Sequence, residues 1–297
     1  MSWSLYRWVW QLESPVFVGI PPAGSLNRCR PYVPARNIWG ALTFETSQAA
    51  ANAKEFPDYQ GQGSKLRKCL RFTYLFPAAR VNSTWLAWLP AYERNRGLTW
   101  RREDCTSAQN SDTAVSDRQF RRWIIDARPG TAIDADSDTA AEATLRETEY
   151  LMTRWRLGSP FGGEPAALVG YVFLDNSNSS ADSVSVDDLK TVRTLFIGGD
   201  TRYGLGRLRR IEFESSDRVF RAQTLLDESE PRVITSHLLA HGHSAQDFLG
   251  AKETLVGWNR TLNNPLVNIG DLQWVPGSRA NEDVTWKIGP EGFWSAI

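Results

Sequence analysis

The sequence of 297 residues predicts an α+β fold in which strands outnumber helices. Runs rich in aromatic and β-branched residues, several of them alternating apolar with polar positions, are typical of strands. Such runs occupy residues 3–18, 65–76, 166–175, 189–197 and 207–214. Apolar residues at helical spacing follow Pro34, which suits a first helical turn, and they predict a helix running toward residue 53. Two further helices are predicted at residues 139–154 and 236–258.

A glycine-rich loop lies between the last two predicted strands. It contains Gly198, Gly199, Gly204 and Gly206, and the arginines in and after it are Arg202, Arg207, Arg209 and Arg210. Glycine lets the backbone approach a ligand closely, and successive free N–H groups form a nest for an anion. Arginine supplies paired donors that suit phosphate. The pattern therefore indicates a loop that holds phosphate, while a tight hairpin with solvated arginines is the alternative interpretation.

The residues exclude two familiar phosphate-binding loops. A P-loop requires a Gly-Lys-Ser/Thr ending, and no lysine follows these glycines. The dinucleotide-binding fingerprint requires a third glycine where Arg209 stands and then a helix, whereas residues 207–213 alternate as a strand does. A mononucleotide cofactor is therefore not expected, and the backbone of a polynucleotide is the better candidate ligand.

The overall charge does not mark a generically basic nucleic-acid binder, because 34 Lys and Arg balance 34 Asp and Glu. The charge is unevenly distributed, however. Basic residues outnumber acidic ones over residues 28–102, while residues 103–149 are rich in acid. A neutral total is compatible with a basic face opposite an acidic one. The 13 tryptophans are many for this length, and some are expected at surfaces or interfaces.

The three cysteines, Cys29, Cys69 and Cys105, are scattered without a C-x-x-C pair, so neither a zinc site nor a disulfide framework is indicated. The N-terminus shows no signal-peptide pattern, and no apolar run is long enough to cross a bilayer. We therefore expect a protein of the reducing cytoplasm, with no metal, no cofactor and no membrane partner.

Two further basic segments follow the first predicted helix. Residues 80–102 mix arginines with aromatic residues, a composition that suits base stacking and phosphate contact. Within this segment Trp100 has polar neighbours and is predicted to be an exposed stacking residue, although an ordinary surface loop explains the same composition. Residues 118–127 are predicted to form a short buried element with a basic side.

Three segments, in this order, resemble the RAMP superfamily of CRISPR-associated RNA-binding proteins. Residues 12–19 (LESPVFVG) are similar to the end of the family's first strand, residues 32–42 (YVPARNIWGAL) to the start of its first helix, and residues 198–206 (GGDTRYGLG) to its glycine-rich loop. The resemblance implies a ferredoxin-like, RRM-related fold, here a single domain over residues 1–297. The middle of the chain, roughly 55–165, matches nothing in the family and is interpreted as a central insertion.

The resemblance also implies a function. In the family, the first helix and the glycine-rich loop hold the backbone of the guide RNA (crRNA) inside a type III effector complex. The implied partners are crRNA and other subunits of the complex, with target RNA as a possible further partner. The candidate RNA-binding residues are Arg28, Arg30, Arg36, Asn37, Gly198, Gly199, Thr201, Arg202, Tyr203, Gly204, Gly206 and Arg207, with Trp100 from the basic-aromatic segment.

The sequence departs from the family's RNA-cleaving subunits in the loop after the first strand. Those subunits carry an aspartate there, whereas residues 19–32 contain no acid. We therefore expect a structural subunit without catalytic residues. Its position is open between an inactive place in the filament and the cap on the guide's 5′ handle.

An endoribonuclease is the alternative function, because some members of the superfamily process RNA with histidine. All three histidines, His237, His241 and His243, fall close together, and histidine acts as a general acid or base near neutral pH. If this segment is helical, His237 and His241 share a face, as two zinc ligands would. Polar surface histidines are the simpler interpretation. A third possible class of function is a protein-only scaffold, in which the tryptophans and the central insertion contact other subunits.

Overall fold

The computed structural model describes residues 2–51, 56–105, 114–177, 183–244, 247–259 and 266–297, without the side chains of 256–259 and 266–269. The first half contains, in chain order, β1 (Trp3–Leu12), β2 (Leu26–Asn27), α1 (Ala35–Ala50), α2 (Tyr59–Cys69), β3 (Leu70–Phe72), β4 (Phe76–Val81), β5 (Thr84–Glu93), β6 (Gly97–Arg102), β7 (Val115–Ser116), α3 (Asp117–Ile124), β8 (Ile125–Gly130) and β9 (Arg146–Leu151). The second half contains β10 (Ala167–Asp175), α4 (Val186–Thr191), β11 (Thr194–Phe196), β12 (Arg207–Ser215), β13 (Arg218–Val219), β14 (Ala222–Leu225), β15 (Arg232–His237), β16 (Gly242–His243), β17 (Lys252–Asn259), β18 (Leu266–Trp274), β19 (Arg279–Ile288) and β20 (Trp294–Ala296). Within these ranges, every helix is too short or too polar to span a membrane.

The first sheet contains nine strands of the described residues, in the order β11-β12-β1-β10-β4-β5-β6-β7, with β3 also paired to β10. At its centre β1 runs antiparallel to β10 and to β12, and Trp8 lies opposite Gly170 on one side and Phe213 on the other. Nearly all of β10 is buried, which agrees with its continuous apolar sequence. Helix α1 buries Ile38 and Leu42 and packs against β3 and β11.

The second sheet contains eight strands of the described part of the chain, in the order β13-β14-β15-β19-β20-β16-β18-β17. Its hairpin between β13 and β14 inserts Phe220 into the first sheet. The Phe220 ring centroid lies 5.5 Å from that of Phe76 and 4.9 Å from that of Tyr171. The backbone N–H of Tyr92 also donates to the carbonyl of Gly277 at 2.8 Å. The two sheets therefore share one apolar core.

A third, small sheet joins β2, β9 and β8. Strand β2 pairs parallel with β9, placing Leu26 opposite Glu147, and β8 pairs antiparallel along the whole of β9. Strands β3 to β6, which fall inside the predicted central insertion, are part of the first sheet. That residues 55–165 are an insertion relative to a family stays a prediction.

Two predicted helices are wrong, because both segments are strands. Residues 146–151 form β9 through their pairing with β8, and the segment 236–258 contains the end of β15, then β16 and most of β17. Short apolar runs fit either structure, and the pairing partner decides between them. The predicted strand at 65–76 begins as helix α2, whose N-cap Asp58 accepts a hydrogen bond from the backbone of Gly61 at 2.8 Å.

Two other predictions of secondary structure are confirmed. The helix that follows Pro34 is α1, with Pro34 at its N-cap. The short buried element at residues 118–127 is α3 and the start of β8, with Phe120, Trp123 and Ile124 buried. Both segments have one apolar side at helical spacing, which is a local signal in the sequence.

Candidate nucleic-acid interface

The glycine loop, residues 197–206, connects β11 to β12 and is attached to the segment that follows β1. Gly199 donates its N–H to the carbonyl of Phe17 at 2.8 Å, and Gly206 donates to Pro15 at 2.7 Å. Gly198 and Gly206 have φ of 89° and 87°. A Cβ at Gly198 would lie 2.2 Å from the Phe17 carbonyl oxygen, and one at Gly206 would lie 2.3 Å from that of Ile197. Only glycine therefore fits these two positions.

The predicted nest of free N–H groups is smaller than expected, because most of the loop's donors are used within the protein. Internal hydrogen bonds occupy the N–H groups of Gly199, Tyr203, Gly204, Leu205 and Gly206. Among the described residues, the N–H groups of Gly198, Asp200, Thr201 and Arg202 have no such partner. Asp200 has φ of 56°, and a 3₁₀ turn over Thr201–Tyr203 follows it. At the tip of the loop, the run of consecutive free donors able to receive an anion is therefore three residues long, from Asp200 to Arg202.

The tip of the loop presents its side chains to solvent. Thr201, Arg202 and Tyr203 are exposed, and Tyr203 is 66% exposed. The Cζ atom of Arg146, from β9, lies 5.9 Å from the centroid of the Tyr203 ring. An exposed ring beside a guanidinium suits a stacked base with a neighbouring phosphate. Sequence reasoning missed Arg146, since only the pairing within the third sheet brings it to the loop.

Arg207 lies at the base of the loop and is already engaged. Its Nε lies 3.0 Å from Glu13 Oε2, and Arg209 Nε lies 2.7 Å from the other oxygen of the same carboxylate. Both arginine side chains are about half exposed, so water and salt screen these pairs strongly. Glu13 therefore offsets part of the positive charge of Arg207 and Arg209. The sequence analysis did not identify Glu13 as their partner.

Arg28 is exposed, and within the described ranges it has no ion-pair partner. The Arg28 carbonyl accepts a hydrogen bond from Ile20 at 3.0 Å, which closes the loop after β1. Strand β2 directly precedes Arg28 and pairs with β9, the strand that carries Arg146. The third sheet connects Arg28 to Arg146, and Arg146 contacts the ring of Tyr203 in the glycine loop. We call Arg28, Arg146, Arg202 and Tyr203 the loop cluster.

Arg30 is buried and engaged within the protein, which disfavours the predicted contact with RNA. Its guanidinium lies 2.5 Å from Glu253 Oε1 and donates to the hydroxyl of Tyr32 at 3.1 Å. Burial raises the pKa of Glu253, but hydrogen bonds from His241 and Arg30 outweigh it and lower the pKa to about 2. Arg30 therefore joins the N-terminal loop to β17 as a fixed ion pair.

His241 belongs to the same buried network. Its Nε2 lies 2.5 Å from Glu253 Oε1, and its Nδ1 lies 2.7 Å from the hydroxyl of Tyr74. Because an ionised carboxylate only accepts, Nε2 carries the proton and Nδ1 accepts from Tyr74. Burial lowers the pKa of His241, which keeps the ring neutral. The ring is fully buried, so it is unavailable to an RNA strand.

The other two histidines do not complete a site with His241. His237 ends β15, where burial and the neighbouring Arg279 and Arg101 lower its pKa to about 4. His243 is exposed in β16. The predicted shared helical face is therefore wrong, because this segment is not helical. Among the described residues, no three His, Cys, Asp or Glu side chains are grouped so that they would hold a metal ion.

Trp100 is fully buried, so the prediction of an exposed stacking residue is wrong. Its ring stacks on Phe120 with centroids 4.2 Å apart, and its Nε1 donates to Asp117 at 2.8 Å. The neighbouring arginines are also engaged, since Arg101 pairs with Glu93 at 2.6 Å and Arg102 with Asp104 at 2.5 Å. Polar neighbours misled the interpretation because alternate residues of a strand point to opposite faces.

The start of α1 carries the two remaining candidates. Arg36 is exposed and has no ion-pair partner in the described part of the chain. Asn37 is half-buried, and its backbone N–H donates to the carbonyl of Pro34 at 3.0 Å. Helix α1 packs against β11, the strand that leads into the glycine loop.

Comparison of the sequence with protein-family models and with curated proteins finds no match. Comparison of the fold finds many similar chains, among them chains of two cryo-EM structures. One is the Type III-B Cmr-beta bound to cognate target RNA and AMPPnP, with 15% identity, 92% of this chain and 84% of that chain covered, and a TM-score of 0.51. The other is the Type III-B Cmr-beta bound to cognate target RNA, with 14% identity, 92% and 85% covered, and a TM-score of 0.52. At this identity the likeness shows the fold, a mixed α and β architecture like that of those chains.

Proposed function

We propose that this protein is a non-cleaving subunit of a type III CRISPR RNA-guided effector complex. It binds the backbone of the guide RNA (crRNA) through the glycine loop and the loop cluster. The single observation that carries this proposal is the loop itself, where three free N–H groups lie beside Arg202 and Tyr203 at an exposed tip. Free backbone donors with adjacent arginines recognise phosphate without reading sequence.

The strand order supports a ferredoxin-like, RRM-related core. Strands β12, β1 and β10 lie side by side and antiparallel, with β3 and β4 on the far edge of β10. Helix α1 lies between β1 and β3 in the chain, and α4 lies between β10 and β12. With the intervening elements set aside, this order corresponds to the βαββαβ arrangement and supports the proposed fold. Together with the glycine loop, it favours membership in the RAMP superfamily, whose first helix and loop hold guide RNA.

The absence of cleavage rests on the surroundings of the loop after β1. Residues 19–32 carry no acid, and the carboxylates that β9 brings near them are Glu147 and Glu149. Glu149 accepts a hydrogen bond from the Cys29 backbone at 2.7 Å and lies 3.8 Å from Arg121. Its carboxylate is therefore engaged in contacts that hold the loop to β9. Glu147 is exposed, and within the described part of the chain it belongs to no group of three possible metal ligands, whereas metal-assisted phosphodiester cleavage needs several.

An endoribonuclease is the second candidate function, and exposed His243 is the observation that favours it. A lone histidine can serve as a general acid or base in metal-free cleavage. Incubation of the purified protein with guide-repeat RNA in a chelating buffer separates the two functions. Specific cutting that is lost in His243→Ala supports the nuclease, whereas protection of the RNA without cutting supports the binder.

The proposal is tested by RNA affinity at several salt concentrations. The variant Arg28→Ala/Arg202→Ala should weaken binding of single-stranded RNA and reduce the logarithmic salt slope by about 1.4, since each lost phosphate contact on a single strand contributes about 0.7. Both side chains are exposed, so the fold should be unaffected. An unchanged affinity and slope in the folded variant would contradict the proposed RNA-binding site.

A further inference from the structure

Helix α3 presents two unpaired arginines on one exposed side. Its N-cap Ser116 accepts a hydrogen bond from the Gln119 backbone at 3.3 Å, and its opposite side is buried. Arg118 and Arg122 are exposed and stand at i and i+4, so they lie one turn apart on the same side of the helix. Neither has an ion-pair partner among the described residues. Arg121, between them, is fully occupied by the protein.

Arg121 attaches α3 to the loop that follows β1. Its two terminal nitrogens donate to the carbonyl of Cys29 at 3.1 and 3.2 Å, and its Nε lies 3.2 Å from Asp117. The same guanidinium lies 3.8 Å from Glu149 of β9. Helix α3 is therefore fixed directly beside Arg28, the residue that precedes Cys29, and beside the middle of β9.

Further exposed arginines lie in the third sheet between this contact and the glycine loop. Strand β9 rises about 3.3 Å per residue, so the contact with α3 at Glu149 lies about 10 Å along the strand from Arg146 at the glycine-loop tip. Arg128 of β8 lies between these two points, opposite Thr148, and it is exposed without an ion-pair partner in the described ranges. Several exposed cations spread over paired strands and a neighbouring helix fit successive phosphates of a strand better than a single small anion.

We propose that Arg118 and Arg122 form a second phosphate-binding site, which continues the path of the RNA from the glycine loop across β9 and β8 to α3. The inference rests on the proposed function, because it takes the ligand of the glycine loop to be a nucleic-acid strand. The ligand class at α3 is the sugar-phosphate backbone of single-stranded RNA, read without base specificity. A protein partner fits the same surface less well, since the free loop donors and the exposed Tyr203 ring beyond Arg146 suit a nucleotide strand.

The test measures binding of a fluorescent single-stranded RNA oligonucleotide to the full-length chain by anisotropy, over a series of salt concentrations. Arg118→Ala/Arg122→Ala should weaken affinity and lower the logarithmic salt slope by about 1.4, two contacts at about 0.7 each. Arg118→Lys/Arg122→Lys keeps the charges and should retain most of the slope. The matched control is Arg218→Ala/Lys287→Ala, which removes two exposed cations of the second sheet and should change nothing.

The outcomes separate this inference from the proposed function. If Arg28→Ala/Arg202→Ala weakens binding while Arg118→Ala/Arg122→Ala leaves affinity and slope unchanged, the α3 site is wrong and the glycine-loop site stands. If neither variant changes binding, both are wrong. An equal loss in the lysine variant would also overturn the α3 site, because phosphate binding depends on the retained charge.

Discussion

Gly206 donates its backbone N–H to the carbonyl of Pro15 at 2.7 Å, which attaches the glycine loop to the segment after the first strand. The two residues come from distant parts of the chain, yet this bond and the one from Gly199 to Phe17 hold the loop in place. The exposed tip at Arg202 therefore stands on a fixed base. A preformed loop loses little conformational entropy on binding, which favours affinity.

The close contact at Gly206 leads to a first prediction. In Gly206→Ala, the added Cβ would lie 2.3 Å from the Ile197 carbonyl oxygen, on a residue with φ of 87°. We expect a loss of stability greater than the roughly 1–2 kcal/mol that left-handed backbone alone costs a non-glycine residue. Urea denaturation monitored by tryptophan fluorescence measures this loss.

Gly204→Ala is the matched control for that variant. Gly204 has a similar φ of 82°, but a Cβ there would meet no atom within 4 Å. Gly204→Ala should therefore lose only the stability that left-handed backbone costs a non-glycine residue. Equal losses in the two alanine variants would contradict the steric role given to Gly206.

Tyr203→Ala should reduce RNA affinity and leave thermal stability unchanged, since the side chain is 66% exposed. A base stacked on an aromatic ring contributes about 1–3 kcal/mol, which is the expected loss of binding free energy. Tyr203→Phe should retain the affinity. Tyr59→Ala is the control, because Tyr59 is also exposed but stacks on Phe44 between α1 and α2. A comparable effect at Tyr59 would show that the loss at Tyr203 is not specific.

Trp100→Ala should destabilise the fold strongly, by about 3–5 kcal/mol, because it removes a fully buried ring that stacks on Phe120. It also leaves the carboxylate of Asp117 without its hydrogen bond from Nε1. Chemical denaturation measures the change in free energy of unfolding. Unchanged stability combined with weaker RNA binding would restore the role that the sequence alone predicts for Trp100.

The buried network of Arg30, Glu253 and His241 predicts a pH dependence of stability. The pKa of Glu253 is lowered from 4.5 to about 2 in the folded protein, so its contribution is fully present above pH 4.5 and is lost as the pH falls toward 2. The pKa of His241 is also lowered. On acidification, His241 therefore takes up its proton at a higher pH in the unfolded chain than in the folded protein. The free energy of unfolding begins to fall as the pH drops through about 6.5.

Glu253→Gln tests this dependence. It should lower stability at neutral pH and flatten the curve of unfolding free energy between about pH 4.5 and 2, since the carboxylate that titrates there is gone. Glu291→Gln is the control, because its pair with Arg67 is about half exposed on both sides and is screened by solvent. A steep acid transition that persists unchanged in Glu253→Gln would contradict the assignment.

The proposed non-cleaving role predicts that no carboxylate near the loops is catalytic. In a reconstituted effector complex, Glu147→Ala and Asp200→Ala should each leave the pattern of target-RNA cuts unchanged. Glu147 is the exposed carboxylate that β9 brings beside the loop after β1, and Asp200 begins the tip of the glycine loop. Disappearance of a single cut in either variant would show that this subunit cleaves.

Local signals in the sequence were sufficient to predict several elements of the structure. The alternation in β1, the helical spacing after Pro34 and the glycines of the loop each depend on neighbouring residues, and each corresponds to an element of the structure. Gly198 and Gly206 are a clear case, since their positive φ belongs to the turn itself. The positions of Arg202 and Tyr203 at an exposed tip follow from that turn.

Contacts between residues far apart in the chain decide the features that the sequence did not predict. Such contacts determine which side chains are buried and which strands pair. Trp100 has polar neighbours but is buried by Phe120, and Arg30 looks free in the sequence but is neutralised by Glu253. The histidine segment is strand because the sheet supplies partners, and β9 brings Arg146 to Tyr203. Propensity and composition are local quantities, whereas desolvation and ion pairing depend on the folded neighbourhood.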